Sequence, residues 1–175
     1  MSGADAVRLL ARAKVIHLAS VLPDGQPMLR TLHAVVHAGA LYFHGAPAGE
    51  KLEAIGRPAV VTAEEVLAEI PSYFLDPERA CPATTYYESA QAHGLVIEVS
   101  DEEEKAAALQ ALMEKYQPEG GHVPIAASDP LYKKAVSGVL VLRLALDKVD
   151  GKAKLGQNRG PADLAQVLEK LWARG

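Results

Sequence analysis

The chain has 175 residues and a mass of 18.6 kDa, which fits one ordinary domain. Its 22 acidic residues outnumber its 18 basic ones, and the net charge of −4 argues against a protein whose whole surface binds nucleic acid, because such binding neutralises phosphates with basic side chains. Apolar residues make up 49% of the chain, which excludes a disordered or fibrous class. No apolar run approaches the roughly 20 residues that cross a bilayer. The single cysteine, Cys81, cannot form an internal disulfide, so we expect a soluble, cytoplasmic protein.

The first 66 residues predict a short helix followed by four strands. The helix is expected over 5–14, with Asp5 as its cap. The strands are expected where β-branched and apolar residues cluster between turns, at 15–21, 28–37, 40–44 and 59–66. Because short turns join these strands, we expect antiparallel pairing, since a parallel pair needs a crossover of a dozen residues or more.

The second half of the chain predicts further strands and three helices. The segment 67–82 contains three prolines and is expected to be a long irregular excursion, whose length makes it a functional candidate. Strands are expected at 84–92, 95–99 and 139–146, and helices after the capping pair Ser100 and Glu103, after Asp129 and from Pro161. Antiparallel strands in this number hide their edges most simply by closing into a barrel. We therefore predict an α+β fold with an antiparallel β-barrel and flanking helices, as one domain over 1–175 with the segment 147–175 packed on it.

The segment 41–55 is the most informative part of the chain. A strand ending at His44 leads into a loop of small residues at 45–49, and a helical turn with Lys51 follows. Small residues let the backbone approach an anion, and the lysine adds a full charge, so this loop is a candidate phosphate site. It does not match a Walker loop. On these residues alone, an ordinary connection between strand and helix is the favoured interpretation.

The histidines offer a second candidate site. His33 and His37 share a strand face but lie about 13 Å apart at strand spacing, too far to bind one ion together, so we predict no metal site. His44 lies beside the phosphate loop, where an imidazole could contact an anionic cofactor or a substrate. A structural histidine that is hydrogen-bonded to the backbone fits the same position equally well.

The segment 146–161 is basic, with a net charge of +3 over 148–159. Gln157 and Asn158 add neutral donors and acceptors. The segment could close over a phosphate or a ring edge, although composition alone favours a solvated linker.

Several motifs occur together in an order that resembles a known family. They are the segment 41–51, the run Thr84-Thr85-Tyr86-Tyr87-Glu88-Ser89, the helical segment 102–119 and the run 151–158. They resemble the pyridoxamine-5′-phosphate-oxidase-related FMN-binding split-barrel proteins, most closely the flavin-nucleotide-binding branch that includes nitroimidazole-resistance proteins. The resemblance runs roughly over 5–146. It implies a six-stranded split barrel and a homodimer with FMN in clefts at the subunit interface.

The resemblance also implies which residues bind the cofactor. They are Arg30, Thr31, Leu32, His33, His44, Gly45, Ala46, Lys51, Ser89, Lys154 and Gln157. Lys51 matches the phosphate side, and His44 is the candidate catalytic or substrate-facing residue. Glu88 departs from the family pattern, in which an arginine often precedes the serine, so either Glu88 points away or cofactor binding is weakened. The segment 67–82, with Tyr73 and Phe74, has no counterpart in the family and is a candidate cap for the flavin.

The resemblance favours an FMN-dependent oxidoreductase acting on a small molecule, similar to pyridoxamine-phosphate oxidase or to a nitroreductase. The alternative is an FMN-sensing regulatory protein without turnover, which the basic tail suggests, because 151–159 resembles the ending of FMN-binding transcriptional regulators. A third option keeps the barrel and replaces FMN with haem or a deazaflavin. The negative net charge opposes direct DNA binding under each of these hypotheses.

Overall fold

The computed structural model describes residues 1–174, which form four α-helices and nine strands. The helices are α1 (Gly3–Arg12), α2 (Glu102–Tyr116), α3 (Lys133–Gly138) and α4 (Pro161–Arg174). The strands are β1 (Ile16–Val21), β2 (Pro27–Leu32), β3 (Val35–His37), β4 (Ala40–Gly45), β5 (Pro58–Ile70), β6 (Thr84–Leu95), β7 (Ile97–Glu98), β8 (Leu140–Ala145) and β9 (Lys148–Lys154). Short 3₁₀ turns lie at Glu50–Ala54 and Ser72–Phe74.

The strands form two antiparallel sheets. One sheet has the order β2-β1-β5-β6-β9, and the other has the order β3-β4-β8-β7. The antiparallel α+β class is confirmed. The prediction of six strands in a closed barrel is wrong, because the described residues form nine strands in two sheets that do not close.

The strand expected at 28–37 is divided between the two sheets, and α2 explains the break. The backbone N–H of Ala34 donates to the hydroxyl of Tyr116 at 3.0 Å, and the carbonyl of Ala34 accepts from Lys115 at 2.7 Å. The end of α2 therefore satisfies backbone groups that a continuous strand would use in its ladder. The chain leaves β2 at Leu32 and enters the second sheet at Val35.

The N-terminal caps of α1 and α2 lie one to three residues away from the positions that the sequence predicts. Ser2, rather than Asp5, caps α1: its side chain accepts from the backbone N–H of Asp5, whose carboxylate accepts in return from the backbone of Ser2. Asp101, rather than Ser100, caps α2 by accepting from the backbone N–H of Glu104 at 2.7 Å.

The core lies between the two sheets. Leu18 and Val61 of the five-stranded sheet pack in one cluster with Phe43 and Leu142 of the four-stranded sheet, and α1 adds its buried face to that cluster. On its other side, the four-stranded sheet is covered by α2, against which Tyr42 packs. The four-stranded sheet is therefore buried on both faces.

The five-stranded sheet leaves one side uncovered, which we call the outer face. The outer face carries His17, Ala19, Leu29, Thr31, Val60, Thr62, Glu64, Ser89, Gln91, His93, Lys148, Asp150 and Lys152, which alternate with inward residues along the paired strands. At the ends of β1 and β6 it also carries Val21 and Leu95, which are 55% and 49% exposed.

The segment 67–82 is more ordered than the sequence predicts. Strand β5 continues to Ile70, and the 3₁₀ turn at Ser72–Phe74 follows it. Helix α4 packs on this segment through Val167, and Lys170 Nζ donates to the carbonyl of Phe74 at 2.7 Å. The other side of α4 points into solvent, where Trp172 is 91% exposed.

Within residues 1–174, none of the helices combines the length and the apolar character that a membrane crossing requires.

Candidate functional site

The loop after β4 places Lys51 across the small residues of the predicted phosphate site. Lys51 Nζ donates to the carbonyl of Ala48 at 2.5 Å. A Cβ built on Gly45 would lie 2.9 Å from Lys51 Cε, so a glycine there lets the lysine lie against the loop. The predicted helical turn is a 3₁₀ turn of five residues, Glu50–Ala54. The capacity of this loop to hold an anion therefore depends on its cations more than on a helix terminus.

Arg30 is the second cation at this loop. Its guanidinium forms an ion pair with Glu50, the residue before Lys51, and Arg30 Nη1 donates to the carbonyl of Leu29 at 2.7 Å. Arg30 on β2 and Lys51 on the 3₁₀ turn thus both lie at this loop, and Arg30 is paired with Glu50. An anion that binds here has to compete with Glu50 for Arg30.

His33 and His44 lie close enough to influence each other. The ring of His33 packs on Tyr116 with centroids 4.7 Å apart. Desolvation lowers the pKa of His44, and repulsion by a charged His33 lowers it further. The neutral form of His44, which can either accept or donate a hydrogen bond, is therefore favoured.

His44 opens into a cleft of about 700 Å³ between the β4 loop and α3. One wall consists of His44, Gly45, Ala46 and Pro47, and the other consists of Leu131, Lys134, Ala135, Gly138 and Val139. Three of the predicted cofactor residues thus share one cleft. Sequence reasoning missed Lys134, which adds a third cation to this region. The Lys133-Lys134 pair beside the expected Asp129 helix is the signal that could have found it.

Thr31 and Leu32 alternate on β2. Leu32 packs against the core, whereas Thr31 lies on the outer face with its hydroxyl 3.1 Å from His17 Nδ1.

The remaining predicted residues lie on β6, β9 and the turn that follows β9. Ser89 borders a shallow depression of about 220 Å³ together with Gln91, Asp150 and Lys152. Lys154 Nζ donates to Thr84 Oγ1 at 2.5 Å, and Gln157 Nε2 donates to the carbonyl of Ala153 at 2.7 Å. Lys154 thus joins the end of β9 to β6, Gln157 bonds within its own turn, and the approach of both side chains to a flavin stays a prediction.

The basic segment is a strand rather than a linker. Lys148–Lys154 forms β9, which pairs with β6 along its whole length. The solvated-linker interpretation of this part of the chain is therefore wrong.

Glu88 points away from Ser89. It lies on the opposite face of β6 and accepts from Arg12 Nη2 at 2.7 Å, while Arg12 Nε donates to Glu65 at 2.8 Å. The register places Glu65 directly opposite Glu88, so Arg12 neutralises two adjacent carboxylates. The carboxylate of Glu88 is therefore turned away from the outer face, which agrees with the first of the two alternatives, that Glu88 points away.

Within one chain, the predicted cofactor-binding residues on β2 lie far from those on β6 and β9. Arg30 and Thr31 lie on β2, an edge strand, whereas Ser89 and Lys154 lie on β6 and β9 toward the other edge. At about 4.8 Å per strand, β2 and β6 are about 14 Å apart. Between these groups, toward one end of the sheet, the outer face holds an apolar groove of about 720 Å³ whose lining includes Val21, Leu29 and Leu95.

No cluster of three metal-binding side chains occurs in the part of the chain that the structure describes.

Comparisons with solved structures support the fold. A candidate 5-nitroimidazole antibiotic resistance protein from Bacteroides thetaiotaomicron VPI-5482 has a TM-score of 0.67 and 24% identity, over 87% of this chain and 84% of that chain. A FAD- and heme-binding protein from Mycobacterium smegmatis has a TM-score of 0.74 and 23% identity, over 94% and 77%. The flavocytochrome Anf3 from Azotobacter vinelandii has a TM-score of 0.68 and 17% identity, over 92% and 72%. At sequence identities of 17% to 24%, the structural similarity shows a shared fold.

No curated protein matches the chain. A family model described as pyridoxamine 5′-phosphate oxidase matches residues 2–153. This match covers most of the chain and agrees with the structural likeness, and the chain therefore belongs to the pyridoxamine 5′-phosphate oxidase family.

Proposed function

We propose that this protein is a homodimeric, cytoplasmic FMN-binding flavoprotein that acts as an oxidoreductase on a small molecule. The observation that carries the proposal is the pair of cations, Arg30 and Lys51, at a small-residue loop in a chain of this family. When bound, the flavin supplies the transfer of a hydride or an electron pair, while the protein binds and orients it.

The residues at the β4 loop fit the phosphate of FMN. Lys51 and Arg30 supply positive charge, and the missing side chain at Gly45 lets Lys51 lie against the loop. Arg30 would exchange Glu50 for the phosphate. Backbone groups of Thr31, Leu32 and His33 would line the ring.

The neighbouring cleft would receive the substrate. His44 and Lys134 face it from opposite walls, with apolar residues between them. A neutral imidazole at His44 can donate one proton or accept one, which suits a residue that contacts a substrate during reduction or oxidation.

The positions of the two groups of site residues support a dimer. A two-fold axis through the outer face would place Ser89, Lys154 and Gln157 of a second copy opposite Thr31 of the first. Exposed apolar side chains in the groove on the outer face, such as Leu29 at 60% exposure, would be buried by such an interface.

The regulatory alternative finds no support beyond the resemblance of the tail. Within residues 148–159, Lys154 and Arg159 already bond to Thr84 and to the carbonyl of Pro82 in the same chain. We therefore propose the oxidoreductase alone.

The test is the identity of the cofactor that purifies with the protein. We expect a yellow dimer whose heat-released cofactor is FMN, measured by chromatography against FMN, FAD, deazaflavin and haem standards. Analytical ultracentrifugation measures the dimer. Colourless protein that takes up none of these on addition would refute the proposal, and FAD or haem as the released cofactor would refute its FMN assignment.

A further inference from the structure

Three polar side chains, Thr31, His17 and Glu64, form a row of polar contacts across the outer face. Thr31 Oγ1 on β2 is 3.1 Å from His17 Nδ1 on β1, and His17 Nε2 is 3.3 Å from Glu64 Oε1 on β5. Thr31 and Thr62 are the cross-strand partners of His17, and Glu64 follows Thr62 on the same face. Both ring nitrogens of His17 are thus held by groups of the same chain.

The carboxylate of Glu64 decides which ring nitrogen of a neutral His17 carries the proton. Its negative charge lies 3.3 Å from Nε2 and accepts but does not donate hydrogen bonds, which favours the tautomer with the hydrogen on that nitrogen. Nδ1 is then an acceptor, and the Thr31 hydroxyl is the donor at hydrogen-bond distance. Thr31 therefore directs its proton toward His17 and keeps the lone pairs of its oxygen free on the outer face.

Protonation of His17 reverses this arrangement. Both ring nitrogens of an imidazolium are donors, so Nδ1 would donate to Thr31 and the hydroxyl proton would turn away from the ring. The hydroxyl of Thr31 thus changes from an acceptor to a donor toward anything bound above it.

We infer that His17, held by Glu64, is a positioning residue that keeps the Thr31 hydroxyl in the acceptor state for an N–H group of a ligand on the outer face. The identity of the ligand rests on the proposed function: the oxidised isoalloxazine ring has one such group, its imide N–H. The row of polar contacts itself is a property of the protein without ligand.

The surroundings leave His17 accessible. Its side chain is 29% exposed and that of Glu64 is 51% exposed. A cavity of about 370 Å³ borders His17, and the other charged groups that line it are Arg12, Lys14, Glu64 and Glu65. Arg12 is already bonded to Glu65 and Glu88, which leaves Glu64 as the acidic partner of the imidazole.

The first test examines this row of polar contacts in the protein without cofactor. In protein labelled with ¹⁵N-histidine, Thr31→Val should shift the His17 Nδ1 resonance. The matched control Thr62→Val should not, because the Thr62 hydroxyl donates to the carbonyl of Ala90 at 3.0 Å instead. A neutral His17 with its proton on Nδ1, or equal responses to the two variants, would overturn the inference.

The second test examines the ligand. We expect Thr31→Val and His17→Gln to weaken FMN binding about three- to tenfold near neutral pH, the usual effect of one hydrogen bond. The double variant Thr31→Val/His17→Gln should lose no more affinity than either single variant, because both substitutions act on the same hydrogen bond to the ligand.

The outcomes separate this inference from the proposed function. A double variant whose loss equals the sum of the two single losses, or single variants that bind FMN as the wild-type protein does, overturn the positioning role while FMN binding stands. Failure of the wild-type protein to bind FMN overturns the proposed function and the ligand assigned here, while the histidine resonances still decide whether the contact between Thr31 and His17 exists.

Discussion

The two sheets of this protein differ in how many of their faces are covered. The four-stranded sheet packs on the five-stranded sheet with one face and on α2 with the other, so every residue from Ala40 to Phe43 is buried. The five-stranded sheet buries its inward face and leaves the outer face to solvent, with Leu29 and Val21 more than half exposed. The residues of the four-stranded sheet serve packing, whereas the polar residues and the apolar groove on the outer face of the five-stranded sheet are free to serve binding.

A truncation in the covered sheet should have the largest effect on stability. Phe43 is fully buried in the core between the sheets. Phe43→Ala should lower the free energy of unfolding by about 3–5 kcal/mol, measured by urea denaturation. Leu29→Ala on the outer face is the contrasting variant, and an equal loss in both would contradict the distinction between the sheets.

A charge on the outer face should instead disrupt assembly. Leu29→Asp places a carboxylate in the apolar groove, and we expect dimer dissociation to increase by about 30-fold or more without loss of far-UV circular dichroism. Sedimentation velocity across a concentration series measures this. Val123→Asp, at another exposed apolar position, is the control, and a dimer that tolerates Leu29→Asp rejects this face as the interface.

Removal of the loop cation should weaken cofactor binding. Lys51→Ala should reduce FMN affinity about tenfold or more, as expected for loss of a charge-assisted hydrogen bond. Lys133→Ala, which removes an exposed lysine on α3, should change the affinity much less. Riboflavin gives the second readout: if Lys51 binds the phosphate, the variant should bind riboflavin as the wild-type protein does.

The smallest expected effect concerns pH. Because desolvation lowers the pKa of His44 in the folded protein, the folded state resists binding that proton. The unfolded chain takes up the proton first, so stability should be highest above the ordinary histidine pKa of about 6.5 and should fall as pH drops through the lowered value. His44→Gln should show a shallower loss of unfolding free energy over this range, and an unchanged slope would contradict the assignment.

The sequence predicted those elements whose pattern arises locally. Strand β4 ends at Gly45 instead of His44, and α4 begins at Pro161 as expected. Both have signals within their own residues, an apolar run before a small-residue loop in one case and a proline at the first helical position in the other.

Strand β9 could not be predicted because its pattern depends on distant residues. Its inward residues are Val149, Gly151 and Ala153, and Gly151 has to stay small, since a Cβ there would lie 2.7 Å from Met1 Cε and 3.0 Å from the Cβ of Ala6. Its outward positions are polar, since the outer face is open there. Without large apolar residues, the segment resembles a solvated linker in sequence, and only contact with α1 and β6 makes it a strand.

Only part of the candidate site could be predicted from the sequence. The loop with Gly45 and Lys51 is recognisable from its own residues. The pairing of Arg30 with Glu50 and the presence of Lys134 on the far wall of the cleft depend on contacts between segments that are distant in sequence. Such contacts leave no local periodicity from which to predict them.

The exposure of Trp172 has a practical consequence for every optical experiment on this protein. It is the only tryptophan in the chain, and 91% of it is already in water. Its emission should therefore shift little when the core melts, and an unfolding curve recorded by intrinsic fluorescence would follow the end of α4 rather than the sheets. A quenched or shifted signal on mixing with another molecule would in turn report that something has come to rest on that helix.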